Sequence, residues 1–217
     1  MESKKLNHLE LVPKDTKNIF ILLHGYGSDA EDLFNLGLRF RDLLPHTALI
    51  SVEAPDKCEI QHGGYQWFSL KTMNLFTILK EIRVAHKLLE GFINEQLKRF
   101  KLTSNNLIIG GFSQGAMISL YTGLRIKPAP IAILSFSGML PDTVESLERE
   151  IKSKPKVFLC HGTGDTMVPY NSLEKAESVL REFDIECESH SVRAMDHMIN
   201  NECLDYARDF IKKLNLL

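Results

Sequence analysis

Short apolar runs rich in β-branched residues alternate along the chain with longer segments in which apolar residues recur every three or four positions. A strand buried on both faces reads as a continuous apolar run, whereas a helix packed on one side repeats every 3.6 residues. The pattern predicts strands over 19–23, 48–52, 107–111, 131–135, 157–160 and 187–192. Helices are predicted between them. The clearest covers 75–100, where Ile78, Leu79, Ile82, Leu89, Phe92 and Ile93 fall on one stripe. Others are expected near 30–44, 114–126, 171–183 and 202–214, with Asn171 or Ser172 able to cap one start. Strands alternating with helices predict the α/β class, a mostly parallel sheet with helices on both faces. No repeat or linker interrupts the order, so one domain is expected over 1–217, and the charged stretch 145–156 reads as a solvated helix face and turn.

Composition narrows the partner. With 217 residues, 44% hydrophobic and 25% charged, the chain is long enough for a full α/β core. Its 26 basic and 28 acidic residues, net charge -2, are dispersed, which leaves no footprint for nucleic acid or an anionic membrane. A small molecule is the expected partner. No apolar run reaches the roughly 18 residues of a membrane span, and Met1-Glu2-Ser3-Lys4-Lys5 lacks the apolar stretch of a secretory signal, so a cytoplasmic location is expected. Cys58, Cys160, Cys187 and Cys203 make no C-x-x-C pair and no metal-ligand spacing. They are expected to be buried thiols, without a disulfide framework or a zinc site.

The chemistry lies where strands end. Gly111-Phe112-Ser113-Gln114-Gly115 is G-x-S-x-G, placed between an apolar strand and the helical run that starts at Ala116. A nucleophile on a sharp strand-to-helix turn needs neighbours without a Cβ, because the backbone angles are unusual and strand and helix approach closely. A serine hydroxyl is a weak nucleophile at neutral pH and needs a base held in one tautomer by an acid. Downstream, His161-Gly162-Thr163-Gly164-Asp165 puts Asp165 just beyond the strand 157–160, and Arg193-Ala194-Met195-Asp196-His197 puts His197 just beyond the last strand. Asp196 competes for the acid role, but side chains adjacent in an extended loop rarely face each other, so Asp165 is preferred. The order Ser113, Asp165, His197 is that of α/β-hydrolases. The oxyanion donors are expected to be the Gln114 amide and one from Leu23-His24-Gly25-Tyr26-Gly27, assigned to Leu23. His24 and His161 each precede a glycine at a strand end and are expected to be loop histidines bonded to backbone. No metal is expected, since no third ligand accompanies His161 and Asp165.

A rival reading uses Gly25-Tyr26-Gly27-Ser28-Asp29-Ala30, a G-x-G-x-x-A after a strand, with Glu53 ending the next one, as in a nicotinamide-dependent oxidoreductase. It accounts for nothing after residue 53. A ligand receptor on a hydrolase scaffold is a third possibility, disfavoured because a receptor has no need of a complete triad.

Taken together, Leu-His-Gly-x-Gly, Gly-Phe-Ser-Gln-Gly-Ala, His-Gly-x-x-Asp-x-x-Val-Pro and Met-x-His resemble the phospholipase/carboxylesterase family, which includes acyl-protein thioesterases and bacterial carboxylesterases. The resemblance spans nearly the whole chain. It implies an α/β-hydrolase core without a large lid domain and a serine hydrolase that cleaves carboxylic esters or thioesters through an acyl-enzyme. It also implies catalytic Ser113, Asp165 and His197, oxyanion amides at Leu23 and Gln114, and no cofactor. The segment 63–70 resembles the family's Trp-containing loop, so Trp67 and Phe68 are expected either to line an acyl groove or to be core aromatics. The chain departs from the family at Ala194, where glycine is usual, at Met198, where a small polar residue is usual, and at Ser28, where aspartate or alanine is frequent.

Overall fold

The computed structural model describes residues 5–72 and 74–216. Of the N-terminal stretch read above as lacking the apolar run of a secretory signal, Met1 to Lys4 lie outside them, as do Met73 and Leu217.

Seven strands form one sheet: β1 (His8–Leu11), β2 (Asn18–Leu23), β3 (Thr47–Val52), β6 (Leu107–Phe112), β7 (Ala132–Phe136), β8 (Lys156–Gly162) and β9 (Cys187–Val192). Their spatial order is β1-β3-β2-β6-β7-β8-β9. All neighbours are parallel except β1 and β3, which are antiparallel. A second, two-stranded ribbon joins β4 (Asp56–Lys57) to β5 (Tyr65–Gln66). Among the described residues six α-helices accompany them: α1 (Ala30–Leu38), α2 (Leu75–Phe100), α3 (Gln114–Gly123), α4 (Val144–Glu150), α5 (Asn171–Glu182) and α6 (Asn201–Lys213). Among the described residues no insertion builds a lid domain.

The period of two along each strand sorts the core into two layers. Ile19, Ile21 and Leu23 of β2 point with Leu107 and Ile109 of β6 toward α2, α3 and α5, while Phe20, Leu22 and Ile108 point the other way, toward α1 and α6. Because both faces are covered, the central strands are buried at every position, which is why they read as unbroken apolar runs. The crossovers after β2 and β6 lead to opposite sides of the sheet, through α1 to β3 and through α3 to β7. That reversal puts the switch point, the crevice at which α/β sheets take ligands, at the C-terminal ends of β2 and β6.

Most predicted elements stand within a few residues of their expected ends, and α2 coincides with its predicted span. Asn74 caps it by accepting from the Phe76 amide, and Lys101 closes it in the left-handed region. Three local expectations fail. The helix expected near 30–44 ends at Leu38, and the chain continues in tight turns such as Phe40 N to Gly37 O and Leu43 N to Phe40 O, which preserve the apolar spacing without an α-helix. Neither Asn171 nor Ser172 caps α5. Coiling begins earlier, where Ser172 N donates to Pro169 O, so Tyr170 holds the cap position. Cys160 and Cys203 are not separate thiols: they form a disulfide, with Cα atoms 6.2 Å apart. Packing of α6 against β8 brings together residues 43 apart in sequence, which no local spacing shows. Cys58 and Cys187 remain free and half-buried, and burial pushes the Cys187 thiol up to about 12.

Candidate active site

Ser113 stands between β6 and α3 with φ 53° and ψ -115°, in the left-handed half of backbone space where a side chain is strained. The turn closes only because Gly115 has no side chain: a Cβ there would lie 1.9 Å from the Leu23 carbonyl oxygen. Ser113 N donates to Phe136 O, which ties the elbow to β7.

His197 and Asp165 arrive on the loops after β9 and β8. The Ser113 Oγ is 2.9 Å from His197 Nε2, and His197 Nδ1 is 2.8 Å from Asp165 Oδ2. A carboxylate oxygen accepts, so Nδ1 carries the hydrogen and the Nε2 lone pair faces the serine hydroxyl. Asp165 is fixed on its other oxygen, Oδ1, which accepts from the amides of Met167 and Val168 at 2.9 and 2.8 Å. Its side chain is wholly buried, while that of His197 is 18% exposed, so the acid is shielded and the base reaches the crevice. Asp196, the rival acid, turns its Oδ1 to the His197 backbone amide at 2.8 Å. The Phe112 ring packs on the imidazole with centroids 4.8 Å apart.

Both other histidines of the motifs are buried and bonded to backbone. His161 donates from Nε2 to Val168 O at 3.0 Å, and the same nitrogen lies 3.1 Å from Asp165 Oδ2, the oxygen that His197 also meets. His24 accepts the Ala54 amide at Nε2, 3.0 Å, which leaves Nδ1 as the donor to Gly25 O at 2.7 Å. Burial holds its pKa below the usual histidine value, which keeps the ring neutral in this role.

The loop that follows β2 is built around that ring. Leu23 is the last ladder residue of β2, fully buried between Val52 and Gly111, so its peptide belongs to the sheet. The backbone beside the nucleophile is that of Gly25, whose ideal Cβ position is 3.4 Å from Ser113 Cβ. Gly25 O is held by His24 Nδ1 and by Ser28 N at 3.2 Å. A trans peptide points its carbonyl and its amide in opposite directions, so the Tyr26 N–H points away from those partners. That amide makes no hydrogen bond among the described residues.

Trp67 and Phe68 are each 2% exposed and sit in the core layer with α2 and α3. They are tied to the site through backbone: the Trp67 indole donates to His24 O at 3.0 Å, and the buried Gln114 side chain accepts from Trp67 N and donates to Phe68 O at 2.8 and 2.7 Å. The backbone bonding expected of His24 is present; the sequence reading missed this use of the Gln114 side chain, although the residue lies within a quoted motif. The G-x-G-x-x-A stretch of the rival reading is committed to the same assembly. Ser28 donates to Asp32, Asp29 caps α1, and Glu53 accepts from Asn7.

Residues 7–215 match the model of the phospholipase/carboxylesterase family. The crystal structure of the esterase PE8 superposes with a TM-score of 0.92 at 37% identity, covering 97% of this chain and 99% of that one. Acyl-protein thioesterase 1 of Mycosarcoma maydis is 27% identical over 226 residues, covering 93% of this chain and 92% of its own. The Bacillus cereus carboxylesterase shares the fold, with a TM-score of 0.78 at 20% identity over 96% of this chain and 94% of that one. Among the described residues no helix is long and apolar enough to cross a membrane. The chain belongs to the phospholipase/carboxylesterase family, a family of carboxylic ester hydrolases.

Proposed function

We propose that the protein hydrolyses carboxylic esters and thioesters through an acyl-enzyme on Ser113. The observation that carries this reading is the continuous relay from Ser113 Oγ to His197 Nε2 at 2.9 Å and from His197 Nδ1 to Asp165 at 2.8 Å, at the sheet's ligand-binding edge.

His197 takes the hydroxyl proton as Ser113 Oγ attacks the acyl carbon, and Asp165 stabilises the imidazolium that results. The oxyanion is held by the Gln114 amide and, in place of Leu23, by the Tyr26 amide, which the Gly25 peptide aims outward. His197 then protonates the departing alcohol or thiol. Water, deprotonated by the same nitrogen, attacks the acyl-enzyme and releases the carboxylic acid, with the proton returned to Ser113 Oγ. Trp67 and Phe68 serve this site by holding the His24 and Gln114 segments in place.

The test is turnover of nitrophenyl esters and of the matching thioesters by the wild type and Ser113→Ala. Loss of turnover with an unchanged melting temperature is expected, together with loss of labelling by a fluorophosphonate. Turnover by Ser113→Ala within about tenfold of wild type would refute the assignment, since loss of a covalent nucleophile is expected to remove far more than that.

A further inference from the structure

On the His197 side of the nucleophile a groove of about 670 Å³ runs between α1 and the start of α6. We propose that it is the leaving-group subsite of the reaction at Ser113. It takes an elongated alcohol or thiol, apolar beside the scissile bond and acidic at its far end. The inference rests on the hydrolase reading above and extends it to the substrate's second half.

The stereochemistry of the intermediate assigns the side. The tetrahedral carbon carries Ser113 Oγ, the oxyanion, the acyl chain and the leaving heteroatom. The oxyanion faces the Gln114 and Tyr26 amides, and the leaving heteroatom must lie within reach of His197 Nε2, which protonates it. The groove has His197, Phe112 and Met198 in its wall. Phe112 packs on the imidazole, and Met198 is half exposed, so a group leaving past Nε2 meets apolar surface at once. Leu33 and Leu36 of α1 continue that surface. A methoxy group would leave nearly all of this volume unfilled, since it falls in the range of sites that enclose whole small ligands.

Charge assigns the far end. Asp32 and Arg39 both line the groove, at opposite ends of α1 and about 10 Å apart at 1.5 Å per residue. Asp32, in the first turn of α1, accepts the Ser28 hydroxyl at 2.9 Å. The nearby cation Arg208 is taken by Asp42. Arg39 makes no ion pair among the described residues, so the distal rim offers a cation to an acidic group.

The experiment keeps the acyl group constant and varies the alcohol: butyrate esters of methanol, hexanol, ω-hydroxyhexanoic acid and ω-aminohexanol. Each buried methylene is worth up to about fourfold, so partial burial of the hexyl chain should raise kcat/KM at least about tenfold over the methyl ester. The acid-ended ester should exceed the amine-ended one by roughly threefold, an exposed ion pair's worth, and Arg39→Glu should reverse the order. Asn35→Trp, which fills the groove from its exposed rim, should cut the hexyl-to-methyl ratio by about fivefold or more. Lys175→Trp on the exposed face of α5 should leave that ratio unchanged. Each ratio is taken within one protein, so partial misfolding cancels. Serine-dependent turnover indifferent to the alcohol would overturn the subsite alone. An unreversed charge preference would overturn the acidic end. Absence of Ser113-dependent turnover on every ester would overturn the hydrolase reading and the subsite with it.

Discussion

In the mechanism we propose, the buried His24 ring links catalysis to stability through two separate atoms, and two substitutions pull the effects apart. His24→Leu removes the Nδ1 donor to Gly25 O and the Nε2 acceptor of Ala54 N. The Gly25–Tyr26 peptide then keeps only the 3.2 Å bond from Ser28 N, the weaker of its two anchors, and the Tyr26 amide is no longer firmly aimed at the oxyanion. Loss of one such donor lowers kcat by about 10²- to 10³-fold, or about 2.7–4 kcal/mol of transition-state stabilisation. The Ala54 amide, buried and unpartnered, destabilises the fold by about 1–3 kcal/mol. In a chain of this size that lowers the melting temperature by roughly 2–12 °C. His24→Asn places an amide nitrogen where Nδ1 was but reaches no further. It should therefore lose the same stability while keeping kcat within about fivefold of wild type, since the oxyanion donor stays aimed. Steady-state kinetics on a nitrophenyl ester and thermal unfolding of the same preparations separate the two. If His24→Leu retains kcat within threefold of wild type, the peptide is not oriented by this ring, and a mechanism that relies on the Tyr26 amide falls.

Other consequences of the structure are open to measurement. Burial lowers the pKa of both His24 and His86 from 6.5, so below that pH the unfolded chain binds protons at these rings more readily than the folded one. Stability should be full above about pH 6.5 and fall as the pH drops through the folded-state values. Urea midpoints across pH should show this slope, shallower in His24→Asn; an unchanged slope would remove His24 from it. Arg125 meets Asp142 in two bonds of 3.0 and 2.7 Å, with their side chains 4% and 0% exposed, and also reaches Glu150. Asp142→Ala should destabilise by about 3–5 kcal/mol, because a buried guanidinium loses its main partner, and adding Arg125→Met should recover much of the loss. Urea unfolding checks both, and a loss under 1 kcal/mol would contradict it. Ala194 has φ 55°, a conformation that favours glycine. Ala194→Gly should raise stability by roughly 0.5–1 kcal/mol, with its amide still bonded to Thr163 Oγ. A lower urea midpoint would show that the strain is absorbed elsewhere.

What the sequence determined by itself is what local periodicity encodes. The alternation of Ile19, Phe20, Ile21 and Leu22 between two core layers, and the stripe along α2 with Asn74 before it, follow from side-chain geometry that repeats within a few residues. The strand-turn-helix around Ser113 was legible for the same reason, as was the placement of Asp165 and His197 just past strand ends. Only the tertiary structure decided the rest. The edge strand β1 and the ribbon β4–β5 are too short for a period to announce them, and they form where partners from elsewhere complete their hydrogen bonds. Cys160 meets Cys203 because α6 lies on β8. The first-loop donor we propose is Tyr26 and not Leu23, because a histidine ring, held by the Ala54 amide from 30 residues away, braces the peptide between Gly25 and Tyr26. The groove beside His197 is walled by α1, β6 and α6, whose positions relative to one another are set by the packing of the sheet's second layer. Periodicity reports which face of an element is buried, whereas a site depends on which elements meet and at what angle, and that is settled only when the whole core packs.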